Sequence, residues 1–90
     1  MITKEQFLNI NKSNTITLSY SSAMRSGSKV TLKPVSKPRY SARYKLYKLT
    51  MKNIENLEGV KYYAYLREGN EKAGFAIGNM AITVKEIQIN

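Results

Sequence analysis

Residues 40–58 read Tyr-Ser-Ala-Arg-Tyr-Lys-Leu-Tyr-Lys-Leu-Thr-Met-Lys-Asn-Ile-Glu-Asn-Leu-Glu, and whether this stretch is helix or strand decides the fold. As a helix, Ser41 caps it and Gly59 ends it. Tyr44, Tyr47, Met51 and Ile54 then share one face, with Lys45, Lys48 and Lys52 on another. As a strand over residues 44–51 the alternation is less regular, but Tyr, Thr and Leu suit a half-buried sheet. Periodicity within the window favours the helix. The neighbours favour the strand, because residues 60–67 need a partner and sequential strands often pair. We read a strand followed by one helical turn, with residues 53–59 leading into the next strand.

On either side of this stretch the signals are plainer. Thr3 followed by Gln6 fits a capping box, and Ile2, Phe7 and Ile10 recur near helical spacing, which predicts a short helix over residues 3–10. Residues 11–14 are its polar exit. Residues 15–20 alternate with period two, putting Ile16, Leu18 and Tyr20 on one face of a strand. Residues 21–28 are Ser-rich and read as a mobile connector. Residues 29–33 alternate again and stop at Pro34, which cannot donate to a sheet ladder. Pro34 and Pro38 bracket an extended loop, since each biases its preceding residue away from helix.

In the last third, residues 60–66 are rich in tyrosine, and Gly69-Asn70 and Gly78-Asn79 supply tight turns on either side of Phe75-Ala76-Ile77. Residues 81–89 alternate, and their phase slips near Glu86, as at a β-bulge. The predicted fold is a single domain over residues 1–90, mainly β. It is a small, strongly twisted antiparallel sheet or a barrel of five or six strands with a short N-terminal helix. The alternative is an α+β sandwich with a helix over residues 41–58. The expected core comprises Phe7, Ile16, Leu18, Val30, Leu32 and Leu46 from the first half. Tyr63, Leu66, Phe75, Ile77, Ile82 and Val84 come from the second.

Charge narrows the function. Ninety residues carry 15 Lys and Arg against 6 acidic residues, all Glu, for a net charge of +9. Between positions 12 and 52 every charged residue is basic. Such a one-signed field favours polyanions and steers their approach, whereas a merely solubilising surface intersperses both signs. Residues 37–48 interleave cations with Tyr40, Tyr44 and Tyr47, which is what single-stranded nucleic acid requires: cations for phosphates and aromatic faces for bases. The candidate binding residues are Lys33, Lys37, Arg39, Tyr40, Arg43, Tyr44, Lys45, Tyr47 and Lys48. A regular strand would not let Tyr44 and Tyr47 face one ligand together. On residues 60–66, Tyr63 and Tyr65 share one face and Tyr62, Ala64 and Leu66 the other. One set belongs to the core, and the other is read chiefly as packing, with an extended stacking platform beside Arg67 as its further use.

The chain has no Asp, His, Cys or Trp. Disulfide frameworks and the usual zinc sites are thereby excluded. Clustered carboxylates for two-metal chemistry and the His or Cys of common acid–base and nucleophilic catalysis are missing as well. No cofactor, metal or catalytic residue is therefore expected, with metal-independent RNA cleavage as the enzymatic alternative. The short apolar runs predict neither a membrane-spanning helix nor a secretory leader, so a cytoplasmic location is expected.

One family likeness follows from these residues. A short N-terminal helix before a strongly bent sheet resembles the Sm-like, SH3-like barrels. Ala76-Ile77-Gly78-Asn79 followed by Ile82 is similar to the second Sm signature, without its Arg. Tyr65-Leu66 and then Phe75 resemble the strands of WYL-type domains, without the arginines flanking that Phe. The resemblance implies a barrel that faces nucleic acid, and it assigns no residues. The expected function is non-catalytic binding of single-stranded RNA or DNA with low sequence specificity. The alternative is an inhibitor or adaptor of the kind phages and mobile elements encode, docking on an acidic protein surface through the same Tyr and Arg chemistry.

Overall fold

The computed structural model describes residues 2–22, 27–55 and 59–90. Thr3 caps the helix α1 (Lys4–Leu8): its hydroxyl accepts from the Gln6 backbone N–H at 3.1 Å, and the Gln6 side chain accepts from the Thr3 N–H at 2.8 Å. The predicted capping box is therefore complete, and the helix is shorter at both ends than residues 3–10. The alternating stretch after it forms β1 (Ile16–Ser21), with Ile16, Leu18 and Tyr20 buried. Beyond it come β2 (Ser28–Pro34), β3 (Arg39–Ser41) and β4 (Leu46–Asn53), then β5 (Lys61–Arg67), β6 (Gly74–Ile77) and β7 (Met80–Ile89). Every pairing is antiparallel.

The sheet runs β2-β1-β7-β6-β5-β4-β3, and a further pairing of β2 with β4 closes six of the strands into a barrel. Closure removes the exposed edges that an open sheet would present. At this seam Leu32, Lys33 and Pro34 oppose Asn53, Lys52 and Met51. The ladder continues through Val35 N–H to the Thr50 carbonyl at 3.0 Å and Ile54 N–H to the Thr31 carbonyl at 3.3 Å. Pro34 ends β2 as its sequence predicts, with its ring buried toward the interior. β3 is the seventh strand, a short hairpin arm on β4 outside the closed set.

The helix alternative for residues 41–58 is overturned. Residues 46–53 are strand, residues 42–45 are a turn, and Ile54 and Glu55 leave β4 in a turn. Pairing with β5 over seven residues, and with β2 at its far end, outweighs the helical spacing of the tyrosines. The predicted helical turn extends into residues 56–58, and half of the predicted Ser-rich connector is residues 23–26; both of these stretches lie outside the described residues. Residues 39–41, which precede the strand expected over residues 44–51, pair with 46–48, and Lys45 takes the left-handed conformation (φ 52°) that closes the hairpin.

Phe7, Ile16, Leu18, Leu32, Leu49, Met51 and Leu66 are the heart of a single core cluster that also takes in Ile2 and Ile10 from either side of α1. Val30 belongs to it as expected, while Leu46 is buried outside it. Phe75, Ile77, Ile82 and Val84 are half-buried and pack against the cluster. Tyr63 is the clear correction: Tyr62, Ala64 and Leu66 point inward, and Tyr63 stands on the outer face. With aromatics at 62, 63 and 65, the sequence of β5 is apolar in either phase, so only its register against β4 decides. The predicted slip in the last strand is real. Ser19 opposes Glu86 and Tyr20 opposes Val84, so Lys85 is the extra residue of a bulge.

Candidate functional site

Directly opposed residues in a sheet lie on the same face, so the registers define what the outer wall of the barrel presents. On β4 the outward residues are Leu46, Lys48, Thr50 and Lys52, opposed on β5 by Arg67, Tyr65, Tyr63 and Lys61. β2 adds Lys33 beside Lys52, and β3 adds Arg39 beside Lys48. Beyond β5 the same wall continues as Gly74 and Ala76 on β6 and Ala81 on β7.

Two features of this wall are electrostatically unusual. Lys33, Lys52 and Lys61 form one row across three adjacent strands, with about 4.8 Å between neighbouring strands. Arg39 and Lys48 are a second like-charged pair. Like charges directly opposed destabilise a sheet. Two such arrangements on one face therefore hold a positive potential that an anion would relieve.

The aromatic groups lie beside these cations. Tyr63 and Tyr65 are both half-buried, with ring centroids 6.0 Å apart and planes tilted by 31°. The Lys48 ammonium sits 4.5 Å from the Tyr63 centroid, a cation–π contact. In the β3–β4 turn, Tyr44 is 60% exposed and the Arg43 guanidinium lies 5.3 Å from its ring. Tyr44 and Tyr65 border a cleft of about 470 Å³ that also takes in Ser41, Leu46, Lys48 and Arg67. On the other side of Tyr65 a second cleft of about 580 Å³ runs over Gly74, Ala76 and Ala81. Tyr65 and Arg67 belong to both clefts, and among the described residues no carboxylate lines either one. Burial and, after it, the neighbouring Tyr63 raise the Tyr65 pKa above the ordinary phenol value.

The residues singled out from sequence thus divide. Lys33, Arg39 and Lys48 lie on the wall, with Tyr44 and Arg43 at its rim; Lys45 is exposed in the same turn and Lys37 in the loop after β2. Tyr40 and Tyr47 do not join them. They oppose each other across β3 and β4, on the opposite face, and meet edge to face with centroids 5.1 Å apart. They border a smaller cleft with Lys4, Leu66, Glu68 and Arg67, the last shared with the clefts of the wall. The Tyr40 hydroxyl donates to Glu68 Oε2 at 3.3 Å. Its pKa is raised by desolvation first, and then by the charge and hydrogen bond of Glu68 and by Tyr47.

The sequence by itself does not place Lys52 or Lys61 beside Lys33, and it reads Tyr63 and Tyr65 chiefly as packing. The acid-free stretch already contains Lys52. Nothing local announces that Lys61 stands beside it, because that neighbourhood is created by strand pairing. No protein-family model matches this chain, and neither does any curated protein or solved structure at a significant level. The functional reading therefore stands on this wall.

Proposed function

We propose that the protein binds single-stranded RNA or DNA, without catalysis, on the outer wall of β2, β4, β5 and β6. The observation that carries this reading is the juxtaposition of the Lys33–Lys52–Lys61 row with the Tyr63–Tyr65 pair. The cations supply sequence-independent phosphate contacts, and the rings supply faces on which bases stack. An open wall of this kind suits a single strand, whose bases are free to turn toward the sheet, better than a duplex, whose bases are stacked away. Arg39, Lys48 and Arg67 extend the phosphate track, and Tyr44 adds a ring at its rim.

A closed barrel and the position of Gly78 and Asn79 in the turn before the last strand support the Sm-like, SH3-like resemblance. In this chain six strands close the barrel. The deciding experiment is a fluorescence anisotropy titration against single- and double-stranded oligonucleotides at several salt concentrations. Binding of single strands that weakens linearly in the logarithm of salt is the expected result. Failure of the folded protein to bind any strand near physiological salt would reject the proposal and leave an acidic protein surface as the partner.

A further inference from the structure

Gly74 is the least expected residue of β6. It is the first residue of the strand, and a glycine paired in a sheet weakens it and often marks close approach of a ligand to the backbone. Gly74 does not need its freedom for a turn, since its φ lies outside the left-handed range that Gly69 and Gly78 occupy. Nor is it required by packing: a Cβ built at position 74 would meet nothing within 4 Å. Directly opposite it stands Tyr65. The flank of Tyr65 toward β6 is therefore open, and the ring has not folded down over the glycine to cover it.

The space so left is the cleft of about 580 Å³, inside the range of about 300–1,000 Å³ typical of small-ligand sites. Ala76 and Ala81, the next outward residues, keep its floor low and flat. Two amides, Asn70 and Asn79, stand at its rim from the turns at either end of β6, and among the described residues neither side chain has a partner. Arg67 and Lys72 supply its cations. An aromatic side, a flat floor, free amide donors and acceptors and two cations are together the complement of one nucleotide.

We propose that this cleft holds a single nucleobase of the bound strand against Tyr65 and reads its edge through Asn70 and Asn79, giving the protein a base preference at one position. The inference rests on the nucleic-acid reading above and sharpens it, since lysine rows and stacking alone are indifferent to sequence.

The test uses the full chain and Gly74→Val. The added side chain enters empty space, the backbone is not in the left-handed region, and a β-branched residue suits a strand, so the variant should fold. Circular dichroism and thermal unfolding check that it does. Wild type and variant are titrated with oligo-U, oligo-A, oligo-C and abasic strands of about ten nucleotides. Wild type is expected to favour one homopolymer over the others by about fivefold or more. Gly74→Val should erase that preference and bring the favoured strand down to the others, with the salt slope unchanged. Asn79→Ala should lower the preference while leaving abasic binding as it was. A folded Gly74→Val protein that keeps the wild-type affinities and their order overturns the cleft while the nucleic-acid reading survives. Wild type that binds all three homopolymers equally does the same. No binding of any strand removes both.

Discussion

The Lys48 ammonium lies 4.5 Å from the Tyr63 ring centroid, although the residue directly across the ladder from Lys48 is Tyr65. A long side chain reaches its diagonal neighbour as readily as the opposed one. The consequence for the wall is a division of labour. Tyr63 is engaged by a cation of the sheet itself, and Tyr65, one pair further on, is bordered by clefts on two sides. Loss of Tyr65 should therefore cost more binding than loss of Tyr63.

This is checked by alanine substitution, with binding titrated at several salt concentrations. Tyr65→Ala should weaken single-strand binding by about 1–3 kcal/mol, the value of a stacked base, and leave the salt slope nearly unchanged because stacking releases no counterion. Tyr40→Ala serves as the contrast. The Tyr40 ring meets Tyr47 on the other face, with its hydroxyl directed to Glu68, so affinity should stay at the wild-type value. Equal losses at Tyr40 and Tyr65 would move the site to the wrong face of the sheet.

The lysine row yields a prediction in which stability and binding move in opposite directions. Lys52 stands between Lys33 and Lys61. Lys52→Glu converts two repulsive cross-strand neighbours into attractive ones and should stabilise the free protein by about 0.5 kcal/mol, read as a higher urea midpoint with the same m-value. The same change should weaken nucleic-acid binding at every sequence and reduce the magnitude of its salt slope by about 1. A folded Lys52→Glu protein that binds as tightly as wild type, at every salt concentration, would exclude this row from the interface.

Alkaline pH gives a third expectation. Tyr40 and Tyr65 both have pKa values raised from the ordinary 10.0, Tyr40 by desolvation and then Glu68, Tyr65 by burial and then Tyr63. Each group is neutral when protonated, so above pH 10 the unfolded chain gives up these protons while the folded chain still holds them. Fewer protons bound in the unfolded state means that stability falls as pH rises. Their contribution is complete below the unfolded value and is lost as pH climbs through the folded values. The urea midpoint should drop across this window more steeply in wild type than in a Tyr40→Phe, Tyr65→Phe double variant. Tyrosinate absorbance of the wild type should contain a late-titrating component that shrinks in the double variant.

Phe7 fixes α1 to the barrel. It is fully buried in the cluster that holds Leu18, Leu32 and Met51. Phe7→Ala should cost about 3–5 kcal/mol, through lost transfer free energy and the cavity left behind, measured by urea denaturation. A five-residue helix has little stability of its own, so the loss would report tertiary burial rather than helix propensity.

Much of this protein was determined by local sequence. The Thr3–Gln6 capping box, the period-two alternation of residues 15–20, the stop at Pro34, the turns at Gly69 and Gly78 and the bulge beside Glu86 each arise within a few residues of chain. Backbone sterics and hydrogen-bond geometry act at that range, so a linear reading captures them. The surplus of positive charge in the first half is legible for the same reason. What only the tertiary structure decided is which residues stand side by side. Residues 40–58 carry helical and strand signals at once, and pairing with β5 and β2 selected the strand. β5 is apolar in both phases, and its register against β4 turned Tyr62 inward and Tyr63 and Tyr65 outward. The same registers set Tyr40 against Tyr47, away from the cationic wall, and brought Lys61 next to Lys52 and Lys33. Side-chain alternation has a period of two, so one residue of register exchanges the faces of a strand. That choice is settled by barrel closure and core packing over the whole chain, and no local stretch contains it.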